Sequence, residues 1–331
     1  MPFTPTDFKP HRLLVGGHAQ TLAGRFLPRR DALPPADERL FSVEAGVEVM
    51  CRCHWQADRR AALTVIVVHG LEGSSESQYV IGTANKAWAA GMNVVRMNMR
   101  NCGGTEMLGP TLYHSGMSGD VGAVMRALIT DDKLAHVALA GFSMGGNLAL
   151  KLAGELGRDR ATPPELRAVA AVSPAADLGA SADALSLPSN RIYEWHFVRN
   201  LKRSVRRKAL AFPGRYDVSR LAGLRSVRDF DEHVTAPYSG FANADDYYFR
   251  AAAARVIEHI AVPTLIIHAA DDPFIRLLPP TRAAIAANPH VVLEETAHGG
   301  HCGFVGEADR NGYDGRWAER EIVRFFATPN P

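Results

Sequence analysis

Cysteine is scarce in this sequence: Cys51, Cys53, Cys102 and Cys302 are the four in a chain of 331 residues. So few thiols at such irregular spacing exclude a disulfide framework. The stretch Cys51-Arg52-Cys53-His54 carries the donor types of a metal clip. Two thiolates and one adjacent imidazole fall short of a four-ligand site, however, and no second cluster has ligand spacing. A strand burying alternate cysteines is the simpler account, and no metal is expected. Net charge is nearly absent too, at +2. That excludes a global attraction to nucleic acid or an anionic membrane and leaves only local patches to supply one. No window approaches the ~18–20 consecutive apolar residues of a membrane span. The opening, MPFTPTDFKPHRLLVGG, lacks the basic start, apolar stretch and cleavage site of a secretory signal, so the expected location is the cytoplasm.

What is present is a core-forming composition, with 47% apolar and 22% charged residues, enough for one large domain. Residues 39–46 and 47–55 read as an opening hairpin with Gly46 at its turn. LTVIVVHG (63–70) is a β-branched run ending at glycine, as buried parallel strands do. A helix ending at Gly91, the strand MNVVRMNMR and a helix capped by Ser118 follow, the last with Val121, Val124, Met125 and Leu128 on one face. HVALAGF, RAVAAVSPA, TLIIHAA and VVLEETA continue the strands, and RWAEREIVRFF closes as an amphipathic helix. Strands alternating with helices imply an α/β fold: a mostly parallel central sheet with helices on both faces. Residues of about 177–260 break this rhythm. They lack a core strand and read as a helical cap inserted in a single domain, placed over the crevice where open α/β sheets bind ligands.

The stretch AGFSMGGN (140–147) places Ser143 in a Gly-x-Ser-x-Gly pattern, leaving a strand and entering a helix. With 29 glycines in the chain the pattern alone is weak, and context decides. A serine hydroxyl attacks only if a base takes its proton and a third group orients that base. Asp271 and Asp272 lie at the end of one later strand, and His298 and His301 just past the next. Asp272 is favoured because Pro273 biases it toward an extended backbone leaving the strand. His301 is favoured because Gly299 and Gly300 let its loop bend back over Ser143; His298 reads as a structural histidine. The amides of Met144, at a helix N-terminus, and Leu71, after the strand VIVVHG, are the expected oxyanion donors. His69 and Gly70 would shape the Leu71 loop, and Gly145 and Gly146 would let helix and strand pack closely.

These residues resemble the α/β-hydrolase fold, and more narrowly its YheT-like branch of serine hydrolases. The resemblance rests on GGHAQTLAGRF, HGLEGSSES, YHSG, GFSMGGN, DEHVTAPYSGFANADDYY, AADDPF and HGGHCGF, spread over about residues 15–305. It implies a triad of Ser143, Asp272 and His301, and a hydrolase of carboxylic esters or lipid-like acyl substrates that needs no cofactor. Arg100-Asn101-Cys102-Gly103-Gly104 stands where relatives commonly carry Arg-Gly-Cys-Ser-Gly, a change expected to bear on the pocket rim. Tyr113 and His114 also match, with loop anchoring as their expected job. Two other functions compete: an acyltransferase using the same serine, and a non-catalytic ligand-binding protein that keeps the fold. Arg199, Lys202, Arg203, Arg206, Arg207 and Lys208, interleaved with Phe197, Leu201 and Val205, form a basic amphipathic helix. Its apolar stripe is expected to face inward; the competing reading is a weak peripheral contact with anionic lipid.

Overall fold

A sheet buried on both faces needs apolar side chains at every position of its central strands, and β-branched residues suit that environment. The computed structural model describes residues 3–328, and among them eight strands form one sheet. The chain opens with α1 (Gly17–Phe26), β1 (Asp37–Glu44), β2 (Val47–His54) and β3 (Thr64–Val68). It continues through α2 (Gln78–Ala89), β4 (Asn93–Met97), α3 (Ser118–Thr130), β5 (Val137–Phe142), α4 (Met144–Arg158) and β6 (Leu166–Val172). After a helical excursion come β7 (Thr264–Ala269), β8 (Val291–Thr296) and the final helix. The strand order is β1-β2-β4-β3-β5-β6-β7-β8. β1 and β2 form an antiparallel hairpin and β2 runs antiparallel to β4; all remaining neighbours are parallel.

The period-2 alternation of strands sorts the core into two layers. Ile66, Val68, Val137, Leu139 and Ile266 pack on one face against Val121, Val124 and Leu128 of α3 and Leu148 and Leu152 of α4. Val65, Val67, Ala138, Ala140, Leu265 and Ile267 pack on the other against Val80 and Ala84 of α2 and the last helix. Each valine, leucine or isoleucine among them contributes about 1.5–3 kcal/mol by leaving water. Cys51 and Cys53 are buried on the first face, where burial raises both thiols, Cys53 to about 12. Ser118 is not the cap of α3. It is the first helical residue, and its hydroxyl donates to Glu155 Oε2 at 2.5 Å. A carboxylate on the neighbouring helix is a stronger acceptor than the local geometry offers.

Between β6 and β7 run α5 (Leu178–Leu185), α6 (Arg191–Ala211), α7 (Val227–Phe230), a π-helical turn (Asp231–Thr235), α8 (Ala236–Ser239) and α9 (Ala244–Ala251). They bury apolar groups mainly among themselves: Leu178, Leu185, Val198 and Tyr247 in one cluster, Leu201, Val205, Leu224 and Phe230 in another. Ala253, Ile257 and Ile260, by contrast, sit in the sheet core. Beyond β7, α10 (Pro279–Ala287) precedes β8, and α11 (Trp317–Ala327) ends the described chain. Leu201 and Val205 do face inward on α6, with Val198 beside them, whereas Phe197 is only half-buried. Lys208 joins them and is no part of a basic outer face: its ammonium donates to the carbonyls of Glu106, at 2.8 Å, and Gly109. Burial lowers it to about 8. Arg207 pairs with Glu106. Among the described residues no helix is long and apolar enough to cross a membrane.

Candidate active site

Parallel strands deliver their carboxyl ends to one edge of the sheet, so segments far apart in sequence meet there. Ser143 follows β5 with φ 55° and ψ −118°, a conformation that costs a non-glycine residue about 1–3 kcal/mol. Surrounding bonds enforce it. The Ser143 amide donates to Val172 O at 2.9 Å, and its carbonyl accepts from the Asn147 and Ala175 amides at 3.1 and 3.3 Å. The tightness of the turn explains Gly145: a Cβ there would lie 2.4 Å from Val68 O.

Asp272, after β7, is buried. Its Oδ1 accepts from the Phe274 and Ile275 amides at 3.0 and 2.9 Å, which aims Oδ2 at His301 Nδ1, 2.9 Å away. Burial alone would raise the Asp272 carboxyl, but the His301 imidazole and the Ile275 amide hold it below its ordinary value. For His301, burial would favour the neutral ring; the adjacent Cys302 sulfur and the Asp272 carboxylate outweigh it and raise the imidazole well above its usual value. The loop carrying His301 needs Gly300 at φ 56°, where a Cβ would meet Gly17 O at 2.2 Å. Phe274 lies against the His301 ring, centroids 4.3 Å apart. Ser143 and His301 line the same cavity without a direct hydrogen bond between them. Such bonds often close only when substrate is present.

Asp271 and His298 form a separate pair, Oδ2 to Nδ1 at 3.2 Å, and Asp271 Oδ1 also accepts from the Gly300 amide at 2.8 Å. Both therefore brace the loop rather than line the cavity. The Leu71 and Met144 amides have no acceptor among the described residues, and both residues flank Ser143 in the cavity wall. The loop bearing Leu71 is held from three sides. The Met99 amide donates to His69 Nε2 at 3.1 Å, so His69 Nδ1 carries the proton and donates to Gly70 O at 2.7 Å. Burial pushes His69 down to about 4, which keeps the ring neutral. Tyr79 OH accepts from the Gly70 amide at 2.9 Å. Tyr113 OH accepts from the Glu72 amide at 3.0 Å and donates to Glu72 Oε1 at 2.6 Å. This holds Glu72 at φ 53°.

The cavity has two lobes that meet at Ser143, Leu71, Phe197 and Phe274. The inner lobe is walled by Leu178, Leu185, Leu201, Val227, Phe230 and Ile275, with Asp231, Ser181 and Tyr248 among its polar groups. Asp231 binds Thr235 Oγ1 at 2.6 Å and Tyr248 OH at 2.8 Å; burial raises its carboxyl to about 6. The outer lobe reaches the surface between α1 and α6. Residues 100–104 line neither lobe, so the departure in that loop does not touch the rim. Arg100 instead binds Asp120 through two hydrogen bonds of 2.6 Å. Among the described residues no group of His, Cys, Asp and Glu is placed to hold a metal ion.

Residues 64–308 match the family model described as alpha/beta hydrolase fold. This chain belongs to the α/β-hydrolase fold family. Within it the chain falls in the YheT-like branch. It is 32% identical to the Escherichia coli (strain K12) protein named "Putative esterase YheT", across 91% of this chain and 87% of that one. It is 30% identical to the Mus musculus protein named phospholipase ABHD3, across 76% of this chain but only 60% of that longer one. Among solved structures, the Pyrococcus furiosus esterase Pf2001 superposes with a TM-score of 0.55 at 17% identity, covering 90% of this chain and 98% of that one. At that identity the likeness speaks for the α/β-hydrolase fold alone.

The part of this hydrolase fold that sequence reasoning missed is α1. Thr21 Oγ1 accepts from the His301 amide at 2.8 Å, across 280 positions. Leu22, Arg25 and Phe26 wall the outer lobe. The available signal was Gly24, buried on a polar-looking helix: a Cβ there would lie 2.7 Å from Gly303 Cα, so the helix was bound to pack on backbone.

Proposed function

We propose that the protein is a serine hydrolase that cleaves carboxylic esters, lipid-like esters included, through an acyl-enzyme. The observation that carries this reading is the strained turn presenting Ser143 to the cavity that also receives His301, whose Nδ1 is bound to Asp272. Neutral His301 donates from Nδ1 to Asp272 and keeps the Nε2 lone pair for the Ser143 proton. Ser143 Oγ attacks the ester carbonyl, and the Leu71 and Met144 amides receive the oxyanion. His301 returns the proton to the departing alkoxide, leaving Ser143 acylated. Water then gives its proton to His301 and its oxygen to the acyl carbon, and Ser143 leaves with the proton restored.

The helices from about 177 to 251 act as a cap over this site within a single domain; the last turns before β7, at Ala253, Ile257 and Ile260, belong to the sheet core instead. The inner lobe, with Leu178, Leu185, Leu201, Val227, Phe230 and Ile275 in its wall, suits the acyl chain. The outer lobe suits the alcohol part. The names of the relatives, an esterase and a phospholipase, support ester substrates of this kind. The test is labelling with a fluorophosphonate, which reacts with activated serines. Native protein is expected to label and Ser143→Ala not to; a folded native protein that stays unlabelled overturns the reading.

Tyr113 is a positioning residue here, since its hydroxyl fixes the residue after the Leu71 amide. Tyr113→Phe is expected to lower kcat about tenfold or more with little change in KM, because misaimed oxyanion donors act on the transition state. Steady-state kinetics on a soluble ester checks this; a raised KM at unchanged kcat contradicts it.

A further inference from the structure

We propose that the face around the cavity mouth docks on a bilayer containing anionic phospholipid. Four apolar side chains stand exposed there: Leu22 and Phe26 of α1, Ile192 and Trp195 of α6. All four line the lobe that reaches Ser143 and His301. Phe26 is 71% exposed and Ile192 79%. His18 Nδ1 and Tyr193 OH, 3.1 Å apart, tie the two helices, and their rings stack, so the four side chains form one rim. Single exposed apolar residues are ordinary on any surface. Four around one opening mark an interaction site.

Trp195 also ends a second groove, on the outer side of α6, formed with Arg199, Lys202, Arg203, Arg206 and Arg225. None of these five side chains forms an ion pair among the described residues; the one carboxylate beside them is that of Asp229, which accepts from the Arg225 amide at 3.1 Å and attracts Lys202. Neighbouring cations do: Arg207 pairs with Glu106, and Arg228 with Asp183 and Asp245. Lys202 donates to Leu224 O at 2.6 Å, and the Arg199 guanidinium lies 5.1 Å over the Trp195 ring. Five like charges beside a single carboxylate repel one another and are relieved by counter-anions. A soluble polyanion would satisfy the cations but not the rim. An anionic bilayer satisfies both, with headgroups for the groove and acyl chains just beneath for the rim, and tryptophan favours that boundary. The contact surface is therefore narrower than a basic helix alone. It consists of this rim and these five cations, Lys208 taking no part. Docking would place the mouth on the lipid, where a water-insoluble ester resides. This extends the hydrolase reading, but its test uses no turnover, so the two can fail separately.

The full-length protein is mixed with phosphatidylcholine vesicles with and without phosphatidylglycerol. Binding is read by co-sedimentation and by the Trp195 emission, with Trp195→Phe as the spectral blank. The expected result is binding to the phosphatidylglycerol vesicles at low salt, a blue shift of Trp195, and loss of both in molar salt. The exposed triple variant Arg199→Glu/Arg203→Glu/Arg206→Glu is expected to partition about a hundredfold more weakly. A second variant, Phe26→Asp/Ile192→Asp, keeps the cations and is expected to lose the blue shift. Equal binding to both vesicle types, binding without a Trp195 shift, or no binding overturns the proposal. So does an oligonucleotide that binds as tightly and produces the same shift, in which case the groove serves nucleic acid.

Discussion

Ser143→Ala is expected to lower ester turnover by about 10⁵-fold or more while leaving the fold in place. The size follows from removing the only atom that bonds to the acyl carbon; the oxyanion donors that remain orient a substrate but do not attack it. The fold is expected to persist because the bonds that enforce this turn come from the backbone. The Ser143 amide and carbonyl bind Val172, Asn147 and Ala175, and alanine keeps all three. Turnover of a chromogenic ester, read beside thermal unfolding, checks both halves. A folded variant that still turns over ester would overturn the assignment of Ser143.

Asp272→Asn is expected to lower kcat about 10⁴-fold and to move the acidic limb of the pH profile. In the native protein the carboxylate raises His301, so the neutral base becomes abundant only above the ordinary histidine value. The acidic limb of kcat/KM should therefore lie above about 6.5. An uncharged amide removes that attraction, while burial still favours the neutral ring. The limb moves to lower pH while its ceiling falls. Stability carries the same sign. His301 is raised on folding, so its contribution is complete below the unfolded histidine value and is lost as pH rises through the folded one. Asp272 is depressed, so its contribution is present above the unfolded aspartate value and is lost as pH falls through the folded one. The stability gap between native and Asp272→Asn should thus be widest at about pH 4–6.5 and narrow in alkali. Denaturant unfolding across pH measures it, and a gap that widens in alkali would contradict the ion pair.

How far the site could be read in advance differs residue by residue. Ser143 and Asp272 were legible because each sits just past a short, largely apolar strand, and a parallel sheet sends such ends to one edge. His301 was legible through the two glycines before it. The partition of Asp271 with His298 from Asp272 with His301 was harder, since adjacent carboxylates differ only in which way the chain turns after β7. On α6 the spacing of Phe197, Leu201 and Val205 announced an inward stripe; Leu201 and Val205 are buried, but Val198 rather than Phe197 completes the buried set. The same spacing hid Lys208, because a lysine on an apolar face gives no sign of the carbonyls of Glu106 and Gly109 that accept its protons. Ser118 misled for a related reason: its local pattern offered a cap, and Glu155 on the next helix offered more.

By itself, then, the sequence determined the α/β class, the two-faced core and the order in which serine, carboxylate and histidine reach the sheet edge. Each of these follows from periodicity and chain direction, which are local. The tertiary structure alone decided that α1 holds the His301 loop through Thr21, that Tyr113 fixes the turn beside Leu71, and that α1 and α6 share an apolar rim. Those arrangements join residues up to 280 positions apart, and only the packing of finished elements brings such residues within reach of one another.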